Sequence, residues 1–224
     1  MTRKLLIAAV AIVIAVVGGA WIYTVIDKPA PKLTIDSTSG TTTPSPSSAT
    51  DDGTTDGVWN VSSQSVVQYR VDETLFGASN TATGKTSKVD GSIEINGTTV
   101  NAATFAVDMN SISSDRTQRD GQFRGRIMNT SQFPTATFKL TSPITLSTVE
   151  LDKEITATAT GDLKLHGVTR TVTFKVTAKR VTGQIRVNGS IPIHFSDYNI
   201  SDPSGGPAQV GDDGTLEFTL VFTR

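Results

Sequence analysis

The chain has 224 residues, of which 37% are hydrophobic and 18% charged, both below the averages of a soluble globular domain. Twenty Lys and Arg against 21 Asp and Glu leave a formal net charge of -1, which removes the whole-chain electrostatic footprint of a nucleic-acid binder. The absence of cysteine excludes disulfide staples, thiolate metal sites, cysteine nucleophiles and a lipid-modified cysteine, so stability has to come from packing.

Thr2-Arg3-Lys4 precedes an uncharged run from Leu5 to Ile26, and about 20 apolar residues in a helix suffice to cross the hydrocarbon core. With basic residues before the run and Asp27 after it, the positive-inside rule directs the rest of the chain outward. Residues 1–26 are therefore expected to form a single transmembrane signal-anchor in the cell membrane, with the remainder extracytoplasmic. The other reading is a signal peptide cut near Gly18-Gly19-Ala20, which would make the protein secreted. Residues 27–57, centred on Thr41-Thr42-Thr43-Pro44-Ser45-Pro46, hold too little apolar area to offset their ordering entropy and read as a disordered tether.

From residue 58 to 224 the dominant pattern is alternation, the period of half-buried strands. Val67, Tyr69 and Val71 share one face; so do Phe105, Val107 and Met109; Val172, Phe174 and Val176; and Leu216, Phe218, Leu220 and Phe222. Asn96-Gly97 predicts a hairpin. Between Gln184 and Phe195 the apolar set Ile185, Val187, Ile191, Ile193 and Phe195 is expected to change sides near Asn188-Gly189, through a hairpin turn or a bulge. Asp115 to Met128 lacks period-2 alternation and predicts a short helix capped by Ser114 or Asp115, held by Phe123 and Ile127 at i,i+4 spacing. So long an antiparallel array favours a closed barrel, which has no exposed edges, with the helix closing one side; a sandwich is the alternative.

Three blocks carry a resemblance: Ser111-Ile112-Ser113-Ser114-Asp115-Arg116 leading to Arg119-Asp120; Phe133-Pro134-Thr135-Ala136-Thr137-Phe138; and Gly161-Asp162-Leu163-Lys164-Leu165-His166-Gly167-Val168-Thr169-Arg170. From about Gly57 to Arg224 the sequence resembles the YceI-like family. The resemblance implies a lipocalin-like antiparallel barrel whose long apolar cavity holds, in some members, a polyisoprenoid or similar long-chain amphiphile. The membrane helix and tether depart from the plain secretion signal of that family.

The candidate ligand-binding residues are the inward apolar set Tyr69, Phe105, Val107, Met109, Phe123, Ile127, Phe138, Phe174, Phe195 and Phe218. Alternation alone does not distinguish a ligand cavity from a filled core, so a cell-surface interaction module with a filled barrel stays open as the second reading. Arg116, Arg119 and Arg124 are candidates for an oxygen-rich or phosphorylated head group. Their plainer reading is pairing along one helix face, Arg116 and Arg124 with Asp120. His166 and His194 lack a second ligand at metal-binding spacing, and no Gly-x-Ser-x-Gly elbow is present. Neither metal, cofactor nor catalysis is expected; the expected partners are a long-chain isoprenoid or other amphiphilic lipid and the membrane, with no nucleic acid.

Overall fold

The alternating stretches form thirteen strands in a computed structural model that describes residues 30–38, 54–206 and 208–224. They are β1 (Gly57–Val61), β2 (Val66–Leu75), β3 (Ala78–Thr86), β4 (Val89–Asn96), β5 (Thr99–Asp108), β6 (Ser113–Ser114), β7 (Thr135–Leu140), β8 (Ile144–Thr145), β9 (Glu154–Leu165), β10 (Val168–Val181), β11 (Gln184–His194), β12 (Ala208–Val210) and β13 (Asp213–Thr223). The expected apolar helix of residues 1–26 lies outside the described residues. Among those described, no helix is long and apolar enough to cross a membrane.

Every pairing between the named strands is antiparallel, and the order β1-β4-β5-β7-β9-β10-β11-β13 closes on itself through Asn60 opposite Thr223 and Val61 opposite Phe222. This ring of eight strands is a barrel, and its closure excludes the sandwich. β13 divides its pairing: its C-terminal end meets β1, while Thr215–Thr219 pair with β2. β2, β3 and β6 therefore continue the wall past one end of the ring.

The predicted hairpin is present, with Asn96 paired to Thr99 and Gly97 at φ 57°. At Asn188-Gly189 the expectation fails. β11 runs straight through it, in unbroken register with β13 from Ile185 opposite Phe222 to His194 opposite Asp213. Gly189 keeps the inward phase and only lacks a side chain, because the Phe218 ring fills that space: a Cβ on Gly189 would lie 2.5 Å from Phe218 Cζ.

The same arrangement recurs around the wall. A Cβ on Gly84 would lie 2.5 Å from Tyr69 Cε1, one on Gly161 would collide with the Phe138 ring and one on Gly214 would reach Phe195 at 3.0 Å. Each ring lies over a glycine of the neighbouring strand or close beside it, along the wall instead of across the lumen. Phe222, Phe105, Phe138, Phe174 and Phe218 thus form a continuous belt with successive centroids 5.5 to 6.2 Å apart, distances suited to stacked and edge-on pairs.

The helical segment also appears where expected, as α1 (Thr117–Gln122) followed by one π-helical turn, Phe123–Ile127. Its cap is Arg116, not Ser114 or Asp115, and no side chain caps it. Ser114 instead donates through N and Oγ to Asp120 Oδ1, at 2.8 and 2.7 Å, which ties β6 to the helix.

Part of the stretch read as a tether is placed on the outer wall. Leu33 N donates to Glu217 Oε2 at 3.3 Å, Asn188 Nδ2 to Leu33 O at 3.2 Å and Thr219 Oγ1 to Thr34 O at 2.8 Å. Arg186 pairs with Asp36 at 3.1 Å, and Ile35 is buried. Residues 31–38 thus cover an outward polar row. Beneath them Glu217 accepts from Gln68 Nε2 and Arg70 Nε, both at 2.9 Å, while Gln68 and Thr219 are fully buried.

The glycine-ring packing has a signed consequence. Removing an interior strand glycine ordinarily stabilises by roughly 0.5–1 kcal/mol. Gly189→Ala should instead destabilise by about 1–3 kcal/mol, because the new methyl drives Phe218 off its rotamer. Urea melts check this, and Phe218→Leu in the same chain should recover much of the loss; a neutral Gly189→Ala contradicts the packing account.

Candidate functional site

Because the rings lie along the wall, the barrel is not filled. An inner chamber of about 140 Å³ sits within the eight-strand ring, lined by the five belt phenylalanines and by aliphatic residues such as Ile93, Leu140, Leu163 and Ile191. Among the described residues, Thr137 is the one polar residue in its lining. A wider outer chamber of about 850 Å³ lies where β2 and β3 extend past the ring, closed on one side by the helix and on another by Pro203, Ser204, Gly205, Gly206, Ala208 and Val210. Val67, Val107, Ala136 and Leu216 line both chambers, so the two adjoin at an apolar waist.

All ten predicted apolar residues line this space. Phe105, Phe138, Phe174 and Phe218 face the inner chamber; Tyr69, Met109, Phe123, Ile127 and Phe195 face the outer one; Val107 stands at the waist. Tyr69 and Phe123 stack face to face, with centroids 5.2 Å apart and planes 9° apart, which anchors the π-helical turn to β2. Val67, Ala136 and Leu216 were not singled out from the sequence, although Val67 and Leu216 sit in the alternating sets and carried the signal.

The arginines divide differently from the expectation. Arg116 and Arg119 line the outer chamber; Arg124 does not, and its Nη1 reaches Ile112 O at 3.5 Å. Arg126 lines it instead, donating to the carbonyls of Asp202, Pro203 and Ser204 at 2.9, 2.7 and 3.1 Å, which clasps the helix to the 202–206 loop. The expected Arg116–Asp120–Arg124 ladder is not formed, because Asp120 is engaged by Ser114. Asp115 is the partner of both Arg116 and Arg119, and Arg119 also reaches Glu73 at 3.5 Å.

The histidines are elsewhere. His166 at φ 49° and Gly167 at φ 80° form the turn between β9 and β10; His166 Nδ1 donates to Tyr198 O at 3.0 Å, and its ring meets Phe133 edge-on. His194 pairs with Asp213 at 2.7 Å on the surface, and that hydrogen bond raises its pKa above the ordinary histidine value. Among the described residues, no three His, Cys, Asp or Glu gather to hold a metal ion.

Burial pushes the Tyr69 phenol up to about 12, with Arg119 opposing and Asp120, Asp115 and Glu73 reinforcing the shift. Tyr69 therefore offers a neutral O–H to the outer chamber at physiological pH.

The model of the YceI-like domain matches residues 59–222. Similar solved structures include a polyisoprenoid binding domain from Saccharophagus degradans implicated in plant cell wall breakdown. It is 16% identical, has a TM-score of 0.60, and the alignment covers 75% of this chain and 98% of that one. Burkholderia cenocepacia BcnA is 20% identical with a TM-score of 0.57, over 72% of this chain and 98% of that one. At these identities the likeness is one of fold. No curated protein matches the chain.

The Tyr69 shift predicts an alkaline signature. An unfolded chain ionises the phenol near 10, whereas the folded one holds it neutral to about 12, so this group's stabilising contribution is complete below pH 10 and is lost as pH rises towards 12. Tyr69→Phe should abolish a tyrosinate absorbance step near pH 12 and flatten the loss of stability over that window; an unchanged absorbance titration would contradict the burial of the phenol.

Proposed function

The chain belongs to the YceI-like family, and from that premise we propose that it binds a long-chain isoprenoid or similar amphiphilic lipid inside the barrel, without performing chemistry on it. The observation that carries the reading is the pair of adjoining chambers. The inner one has an almost wholly apolar lining, and the outer one, lined by Tyr69, Arg116, Arg119 and Gln122, is the only side of this space with several polar groups among the described residues. Together they fall within the size range of ligand pockets, with the tail in the phenylalanine belt and the polar end in the outer chamber. A structural neighbour described as a polyisoprenoid binding domain supports this assignment.

We place the domain on the extracytoplasmic side of the cell membrane, held by residues 1–26. That placement is supported by the basic start, the uncharged run from Leu5 to Ile26 and Asp27 after it. A barrel filled by its own side chains, the basis of an interaction-module reading, is disfavoured by the chambers themselves.

Native mass spectrometry of the detergent-solubilised chain should detect a co-purified lipid whose mass fits a long-chain isoprenoid or related amphiphile. Val107→Trp then tests the waist. In a packed interior the indole would overpack and cost about 1–3 kcal/mol or more; with chambers on both sides it should fold at near-normal apo stability and lose the lipid. A severely destabilised apo variant, or wild-type protein that takes up no lipid, would overturn the proposal.

A further inference from the structure

At the rim of the outer chamber, the β2–β3 hairpin ends in Leu75-Phe76-Gly77-Ala78, with Leu75 paired to Ala78. Phe76 at φ 51° and Gly77 at φ 82° are the two central residues of the turn. Such turns favour Asn or Asp before Gly, whose short polar side chains tolerate the left-handed region. Here the position carries a phenylalanine that is 74% exposed, the most exposed large hydrophobic residue among those described. The ring thus lacks the burial that ordinarily compensates for placing a bulky residue in that conformation.

The surroundings of the tip give it a direction. Leu75 and Phe76 line the chamber together with Gly205, Gly206 and Ala208 of the neighbouring loop, an uncharged arc of the rim. Arg116, Gln118, Arg119, Gln122 and Arg126 from the helix and its approach line the same mouth, Arg116 and Arg119 paired with Asp115, Arg119 also with Glu73 of β2, and Arg126 bonded to the carbonyls of residues 202–204. An apolar projection beside a polar flank of paired arginines and amides is the pattern of a surface that enters the boundary between head groups and acyl chains. The same chain opens with an uncharged run from Leu5 to Ile26, which makes a bilayer the surface nearest to hand.

We infer that the β2–β3 tip docks the chamber mouth on a lipid bilayer, Phe76 entering the acyl boundary, so that lipid passes between membrane and barrel without crossing water. The inference rests on the proposed lipid binding for its purpose, but its test does not depend on it.

The cysteine-free sequence makes that test direct. Phe76→Cys, labelled with an environment-sensitive fluorophore, is reconstituted as the full chain in vesicles of phosphatidylcholine and phosphatidylglycerol. Leu151→Cys is the control: Leu151 is exposed and bridges to Arg180, at the end of β9 and β10 away from the chamber. The label at 76 should blue-shift on reconstitution and be quenched when the acyl chains are brominated, and the label at 151 should do neither. Replacing Phe76 by Ser should also slow uptake of a prenyl alcohol from such vesicles by about tenfold, the order expected for losing one buried phenylalanine. No quenching at 76, or equal quenching at both positions, overturns the inference. Quenching at 76 in a chain that takes up no prenyl alcohol keeps the docking surface and removes the lipid-carrier reading.

Discussion

An aromatic ring and a strand glycine share one volume at several points of this barrel, and the open lumen depends on that sharing. Phenylalanines projecting radially would meet near the axis of an eight-strand ring, whose interior is only wide enough for side chains to fill. The missing Cβ of Gly189 lets the Phe218 ring lie along the wall, and the missing Cβ of Gly161 does the same for Phe138. The belt then lines the chamber without occupying it. The conformational freedom that each glycine adds to the unfolded chain is the thermodynamic cost of the cavity.

The outer chamber depends on a different device. β13 cannot pair with β1 and β2 along the same residues, so the wall divides and β2 and β3 run on past the ring. The helix occupies the side left open. Its π-helical turn carries Phe123 onto Tyr69, and Arg126 fastens the turn to the 202–206 loop through three carbonyls. On the outside, residues 31–38 cover Gln68, Glu217 and Thr219 of the strands that bear the division. Groups that would otherwise be an outward polar row become a buried, hydrogen-bonded layer, where unmade bonds are the expensive alternative.

Much of this was legible in the sequence, for a physical reason. Period-2 alternation reports which face of a strand is apolar, so the sequence alone places Tyr69, Phe105, Phe138, Phe174 and Phe218 inward. Alternation does not report whether the enclosed space is full; that is decided by residues on neighbouring strands, and the pairs Gly84 with Tyr69 and Gly189 with Phe218 are far apart in sequence. Glycines inside strand patterns were the available signal, since they mark close approach of a neighbouring group. At Gly189 that signal was read as a turn or bulge. The arginine ladder failed likewise: i,i+4 spacing identifies neighbours on a helix, but Asp120 was taken by Ser114 from the preceding strand, and Arg124 and Arg126 were drawn to carbonyls outside the helix. The covering of the outer wall by residues 31–38 left no compositional trace, because its bonds are largely to backbone groups.

The central claim is that glycine-seated rings keep a lumen open from the outer chamber, through the waist at Val67, Val107, Ala136 and Leu216, to the phenylalanine belt. A crystal structure of the delipidated chain soaked with a prenyl chain brominated at its far end tests this most directly. The account predicts anomalous bromine density inside the belt, with Phe138 and Phe218 still lying against Gly161 and Gly189. Bromine density confined to the outer chamber, or rings turned into a closed lumen, would contradict it.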